Sequence, residues 1–79
     1  MTHWYRARTA TALGSALGQI RRDSGRDQSE AAATISSSRA TISRLERGDP
    51  VASSTVLDLL AACGYEAVLV PRGSRVTIE

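Results

Sequence analysis

The sequence predicts a mainly α protein: a compact domain of four or five short helices, followed by a C-terminal β-strand or hairpin that pairs across a dimer. A chain of 79 residues is long enough for one domain. Between residues 9 and 64, apolar residues recur at helical spacing and polar capping residues precede each run. From residue 65, β-branched and aromatic residues surround a turn. We therefore divide the chain into an N-terminal arm (1–8), a helical domain (9–64) and a β segment (65–79).

The first helix is predicted to begin after Thr9 and to end at Ser24. The Thr9 hydroxyl is suited to an N-cap, and Gly25 can supply the left-handed conformation that ends a helix. One apolar stripe runs along this helix: Leu13, Ala16, Leu17 and Ile20. Gly14 and Gly18 lie one turn apart, which favours close packing against another backbone.

Two shorter helices follow. Asp27 is placed to cap the second helix, and Glu30 lies at the reciprocal position of a capping box. After a short break, Ser38 is placed to cap a third helix at 39–47, which Gly48 ends.

A fourth helix and a change of period complete the chain. Ser53 is predicted to cap the fourth helix, and Gly64 to end it. The run "YEAVLV" then predicts a strand, "PRGS" a turn, and "RVTIE" a second strand or a looser end.

A single hairpin is barely stable in water, so this segment needs a partner sheet. In a two-fold dimer that partner can be its own copy. Val76 and Ile78 repeat the alternation after the turn. The residues predicted to form the dimer contact are Tyr65, Ala67, Val68, Leu69 and Val70.

Composition argues against several function classes. Cys63 is the single cysteine and His3 the single histidine, so the sequence predicts neither a disulfide within the chain nor a metal site. No third group or paired carboxylates accompany them, so we predict no enzyme and no cofactor. No apolar run approaches the roughly 20 residues of a membrane span, and the N-terminus does not resemble a signal peptide. We expect a cytoplasmic protein.

Charge divides the chain into two unequal parts. Residues 1–48 hold eight arginines and four carboxylates, whereas residues 49–79 hold two arginines and four carboxylates. Arginine is the side chain suited to forked contacts with phosphates and guanine edges. The basic part therefore indicates a nucleic-acid surface, or else an ordinary solvated one.

The third helix presents its polar groups on one side. At 100° per residue around the helix axis, one arc of about 140° contains Arg39, Ala40, Ser43, Arg44 and Arg47. Arginine pairs with guanine, small polar groups hydrogen-bond to base edges, and a methyl group contacts thymine. This arc therefore suits the major groove of double-stranded DNA. The helix lacks the aromatic side chains that usually stack on RNA bases.

The stretch "DQSEAAATISSSRATISRLERG" resembles the helix-turn-helix of phage-repressor and xenobiotic-response-element type regulators, over about Leu13 to Gly64. Twelve residues match the usual pattern of that family: Gln28, Glu30, Ala32, Ser38, Arg39, Thr41, Ile42, Ser43, Arg44, Leu45, Glu46 and Gly48. The resemblance implies that five residues face the bases: Ser38, Arg39, Ala40, Ser43 and Arg44. It also implies that Gln28 and Arg47 touch the DNA backbone, and that Arg21 forms an ion pair with Glu46.

Departures from the family pattern concern the core and one loop. Ala31 stands where a leucine is usual, Ser37 where a valine is, and Ser36 replaces the turn glycine. This predicts a thin core that depends on a dimer. Asp49 is acidic in a loop that often runs beside phosphates.

"SSTVLDLLAACGYEAVLV" is similar to antitoxins of the HipB type, in which a C-terminal strand pairs across the dimer. The resemblance implies a homodimeric repressor that reads an inverted repeat, either free-standing or as the autoregulating antitoxin of a kinase-like toxin. The alternative is a toxin-neutralising protein–protein interaction module with little or no DNA binding. Its signature would be acidic or apolar residues at positions 39, 43, 44 and 47, where this sequence has arginine and serine.

Overall fold

The computed structural model of the chain describes residues 3–77. It contains four helices: α1 (Ala10–Asp23), α2 (Gln28–Thr34), α3 (Arg39–Glu46) and α4 (Ser53–Ala62). The principal extents are 35 × 28 × 17 Å. The mainly α prediction is confirmed for this part of the chain.

The predicted caps begin the first three helices. The Thr9 hydroxyl accepts a hydrogen bond from the Ala12 N–H at 3.0 Å. Asp27 Oδ1 accepts from the Glu30 N–H at 2.8 Å, and the Asp27 N–H donates to Glu30 Oε1 at 3.0 Å. These two bonds form the predicted capping box. Ser38 Oγ accepts from the Thr41 N–H at 3.1 Å, so α3 also begins where it was predicted.

The start of α4 differs from the prediction. Ser53 is the first residue of the helix and not its cap; Ala52 occupies the cap position and makes no side-chain bond there. The preceding loop turns the chain one residue earlier than the polar pattern indicates. A serine at the first helical position cannot cap its own helix in the N-cap geometry.

Between α2 and α3, Ser36 adopts a left-handed conformation with φ 55°. This is the position where the family pattern has glycine. A non-glycine residue pays a steric penalty there that glycine avoids. The Ser37 N–H nevertheless bonds to the Ala32 carbonyl at 2.8 Å, which closes the end of α2.

The core lies where the four helices meet. Its buried members are Leu17, Ile20, Ala31, Ala32, Ile42, Leu45, Leu59 and Leu60. Three side chains are the largest that are fully buried: Leu17, Ile42 and Leu59. Ala31 is fully enclosed although it offers only a methyl group, so α2 packs close to its neighbours. Among residues 3–77, no aromatic side chain is buried, and this core is accordingly small.

α1 and α3 touch at backbone distance. A Cβ atom on Gly14 would lie 2.6 Å from the Leu45 carbonyl oxygen and 2.7 Å from that of Glu46. A Cβ on Gly18 would lie 3.2 Å from Glu46 Oε1. The two glycines thus allow the end of α3 to rest on α1, which sets the position of the outer face of α3.

The C-terminal segment is not a hairpin. Residues 65–77 contain no strand, so the predicted β-strand or hairpin is wrong for the single chain; Ile78 and Glu79 lie outside the described residues. The "PRGS" turn does form, with the Ser74 N–H bonded to the Pro71 carbonyl at 3.1 Å. A turn alone cannot hold two strands together when few side chains pack across them.

The N-terminal arm packs on this segment. The rings of Tyr5 and Tyr65 lie 6.3 Å apart between centroids, and Arg6 Nη2 donates to the Ser74 carbonyl at 3.3 Å. These contacts join the two ends of the chain, so within the described residues the arm does not extend away from the body. No helix among residues 3–77 combines the length and apolar character needed to cross a membrane.

Candidate nucleic-acid interface

The outer face of α3 is open to solvent. Arg39, Ala40, Arg44 and Arg47 are exposed and Ser43 is half-buried, whereas Ile42 and Leu45 on the opposite side are buried in the core. The helix therefore presents the arc of residues that the sequence predicts. Small side chains at Ala40 and Ser43 leave room for the helix axis to approach a groove.

The hydroxyl groups of this face are partly occupied. Ser38 Oγ caps α3 and lies 2.9 Å from Thr41 Oγ1. Ser43 Oγ accepts a hydrogen bond from Arg47 Nη1 at 2.9 Å, so its own O–H is still available to donate.

The three arginines of α3 differ in their surroundings. Within residues 3–77 the Arg39 guanidinium has no hydrogen-bond or ion-pair partner. Arg44 Nη2 donates to the Pro50 carbonyl at 2.8 Å, which holds this side chain against the loop before α4. Arg47 Nε and Nη2 both donate to Asp49 Oδ2, at 3.3 and 3.2 Å. Of the three arginines, Arg39 is therefore the one that can bind a ligand without first breaking a hydrogen bond or ion pair within the chain.

Arg21 and Glu46 form a forked ion pair between α1 and α3. Arg21 Nε donates to Glu46 Oε2 at 2.6 Å, and Nη2 donates to Oε1 at 3.1 Å. Their side chains are 9% and 11% exposed, so water screens this pair little. Arg21 Nη1 also donates to the Arg26 carbonyl at 2.8 Å, which connects the start of α2 to the same cluster.

Gln28 extends this cluster to the outer surface. Its Nε2 donates to Glu46 Oε1 at 3.2 Å, and the residue is half-buried at the first position of α2. The side-chain amide was predicted to touch a phosphate; in the structure it lies between the buried carboxylate and solvent. A second N–H and the amide oxygen are still able to bind a ligand.

The cluster shifts the proton affinity of its acid. Burial raises the pKa of Glu46, but hydrogen bonds from Arg21 and Gln28, with the charges of Arg21 and Arg22, outweigh it and leave the pKa below its ordinary value. The hydrogen bonds that Arg21 donates to Glu46 correspondingly raise the pKa of Arg21 against the opposing effect of burial. Glu46 is therefore ionised at neutral pH and holds both donors.

Several contacts of this region were not predicted from the sequence. Arg22 Nη1 and Glu46 Oε1 lie over Gly18, at 3.3 and 3.2 Å from the position of a Cβ there. Arg26 Nη1 donates to the Ala62 carbonyl at 3.1 Å and so caps the end of α4. A basic residue near a helix C-terminus is a sequence signal, but the partner helix here is distant in the chain.

The predicted dimer residues divide into two groups. Tyr65 is half-buried and packs on the core, whereas Ala67, Val68, Leu69 and Val70 are exposed. Leu69 is 96% exposed. Within one chain these side chains have little apolar contact.

Comparison with known families decides the identity of the fold. The profile described as "Helix-turn-helix domain" matches residues 12–72. The chain belongs to the helix-turn-helix domain family. It is a regulator of this family similar to HipB. A search of curated proteins finds no significant match to the chain.

Two kinds of solved structure resemble this member of the family. The clp gene regulator ClgR from C. glutamicum is 34% identical, with a TM-score of 0.67 over 72% of this chain and 74% of that chain. The HipB chain of the "HipB-O4 20mer complex" is 27% identical, with a TM-score of 0.78 over 87% and 99% of the two chains. A chain of the "HipA-HipB-O2-O3 complex" is 27% identical, with a TM-score of 0.77 over the same shares.

Proposed function

We propose that this helix-turn-helix protein is a sequence-specific DNA-binding repressor that acts as a homodimer on an inverted-repeat operator in the cytoplasm. The observation that carries the proposal is the outer face of α3, where Arg39, Ala40 and Arg44 are exposed on a helix anchored through the Arg21–Glu46 pair. We assign no residue a catalytic role.

In this proposal α3 lies in the major groove and its residues have separate tasks. Arg39 and Arg44 pair with guanine edges, while Ser38, Ala40 and Ser43 contact neighbouring bases. Gln28 and Arg47 bind phosphates on either side. HipB, which shares this fold over 99% of its length, has been solved with a 20mer, and that supports a nucleic-acid ligand for this chain.

The dimer is proposed to form through the exposed tail. Val68 is 68% and Leu69 is 96% exposed, and pairing with a second copy would cover them and supply the missing strand partner. Two α3 helices related by a two-fold axis would then read half-sites about 34 Å apart.

Two experiments test the DNA-binding function: random-site selection, and an electrophoretic mobility-shift assay on the promoter of the protein's own gene. We expect selected sequences to converge on an inverted repeat that binds two chains. Convergence on a single asymmetric site by a monomer would overturn the homodimer, and recovery of no common sequence would overturn sequence-specific binding.

A second function is supported by one observation: a chain of the "HipA-HipB-O2-O3 complex" shares this fold. The protein would then be the autoregulating antitoxin of a kinase-like toxin. Co-expression with the product of the adjacent gene tests it, with a stable complex and relief of toxicity as the expected result. A neutralised toxin without any operator binding would favour the alternative, a protein–protein interaction module.

A further inference from the structure

Asp49 lies directly beyond the end of α3 and faces back onto it. Gly48 has φ 84° and reverses the chain, so that the Asp49 N–H bonds to the Arg44 carbonyl at 3.0 Å. The Asp49 carboxylate is thereby brought against Arg47, where one oxygen accepts from Nε at 3.3 Å and from Nη2 at 3.2 Å.

This pair uses the donors that a phosphate would need. A guanidinium binds a carboxylate and a phosphate oxygen with the same fork of N–H groups. Arg47 Nη1 donates to Ser43 Oγ at 2.9 Å, so each of its three nitrogens has a partner within the chain. Both members of the ion pair are exposed, with 60% and 45% of their side-chain areas accessible, so exchange with an external anion is sterically open.

We propose that Asp49 is a positioning residue that lowers DNA affinity, because its carboxylate occupies Arg47 as an intramolecular substitute for a backbone phosphate. This inference rests on the proposed DNA-binding function. Binding through Arg47 requires that the pair break, and the released carboxylate then lies near the phosphates. Since phosphate contacts are shared by all sequences, the penalty applies to operator and non-operator DNA alike.

The expected effects follow from the weakness of exposed ion pairs. Asp49→Asn should raise affinity about two- to fivefold for each chain. It should also steepen the dependence of log affinity on log salt by about 0.9 per chain, because an un-neutralised Arg47 displaces one more counterion. The ratio of operator to non-operator affinity should be unchanged.

The experiment is fluorescence anisotropy with the full chain on the selected operator and on a scrambled duplex of equal length, across a sodium chloride series. Asp58→Asn makes the same charge change on α4, where Asp58 is exposed and has no ion pair within residues 3–77, and should leave affinity nearly constant. In an Arg47→Ala background, Asp49→Asn should give a clearly smaller gain, because only the repulsion between the carboxylate and nearby phosphates is then removed.

Two results overturn the inference: equal behaviour of Asp49→Asn and Asp58→Asn, or a gain from Asp49→Asn that is equally large without Arg47. Either would leave operator binding by the wild type intact. Failure of the proposed function is different, since the wild type would then bind neither duplex, or both equally.

Discussion

Glu46 on α3 and Arg21 on α1 are joined by two hydrogen bonds, of 2.6 and 3.1 Å, although they lie 25 residues apart in the chain. Gln28 donates to the same carboxylate, at 3.2 Å. One largely shielded carboxylate on α3 therefore bonds to both α1 and the first residue of α2.

Loss of one partner from this pair should be costly. Glu46→Gln leaves the Arg21 guanidinium with an uncompensated charge in a shielded position, and removing one member of a buried pair costs about 3–5 kcal/mol. For a domain of this size, 1 kcal/mol shifts Tm by about 4–8 °C. Thermal and urea unfolding measure the change, with Glu66→Gln on the exposed tail as the matched control. Equal melting temperatures for Glu46→Gln and wild type would show a pair without consequence.

The same carboxylate should make the free energy of unfolding depend on pH in the acid range. The pKa of Glu46 is lower in the folded than in the unfolded chain, so the unfolded state binds more protons between the two values. The stabilisation is present above the unfolded value of about 4.3 and is lost as pH falls from there through the folded pKa. Urea unfolding at a series of pH values should show this loss in wild type and a shallower one in Glu46→Gln. Parallel curves would contradict the assignment.

Because α1 packs closely on α3, replacing a glycine of α1 with alanine should destabilise the protein, although alanine is the better helix former. Alanine favours helices over glycine by about 1 kcal/mol. At Gly14, however, the added Cβ would meet the Leu45 carbonyl oxygen at 2.6 Å, so the helices must separate. Such overpacking costs about 1–3 kcal/mol. We expect Gly14→Ala to lower the free energy of unfolding, whereas Ser15→Ala, on the exposed side of α1, should not. A more stable Gly14→Ala variant would show that α1 and α3 are not held at this distance.

The proposed DNA contacts of α3 predict different effects for its three arginines: two should alter sequence preference, and one should alter affinity alone. Arg39→Ala or Arg44→Ala should lose a forked contact to guanine, cost about 1–3 kcal/mol and relax the preference at one base pair. Arg47→Ala should weaken all sequences equally. Because Arg47 is already paired with Asp49, its loss should change the salt slope by less than the value of about 1 for an unpaired cation. Random-site selection with each variant gives the answer; three identical site preferences would reject the assignment.

Sequence patterns correctly predicted those features of the fold that depend on residues close together in the chain. The caps at Thr9, Asp27 and Ser38 each bind a backbone N–H three residues away, so the sequence contains both partners. The predicted cap at Ser53 was wrong by one residue, because α4 already begins at Ser53 and Ala52 occupies the N-cap position without a side-chain bond. The hairpin did not form because too few side chains pack across residues 65–77, most of which are exposed, to hold two strands together.

The candidate site divides in the same way. The outward arc of α3 follows from helical periodicity alone, and the Arg21–Glu46 pair was implied by the family resemblance. The contacts of Arg44 with Pro50 and of Arg47 with Asp49 depend on how the chain turns after α3. Sequence patterns place these residues near one another but do not say which side chains meet.

The exposed tail leads to the last prediction, which concerns the dimer. Leu69 is 96% exposed and Val68 is 68% exposed, so replacing either with aspartate removes almost no contact within the chain. If the tail pairs with its copy, Leu69→Asp should place a charge in that contact and give a folded monomer with weak operator affinity, because two linked half-sites supply avidity. Circular dichroism should show unchanged helix content.

The rival arrangement is a dimer formed by α4, whose Leu57 is 54% exposed. Leu57→Asp is therefore the matched control, since it adds the same charge to the other apolar surface. Analytical ultracentrifugation separates the two arrangements at concentrations where the wild type is dimeric. A monomer for Leu69→Asp and a dimer for Leu57→Asp places the contact in the tail. A dimer for Leu69→Asp and a monomer for Leu57→Asp would instead place the dimer contact on α4. The spacing of the two DNA half-sites would then be set by how the two α4 helices pack.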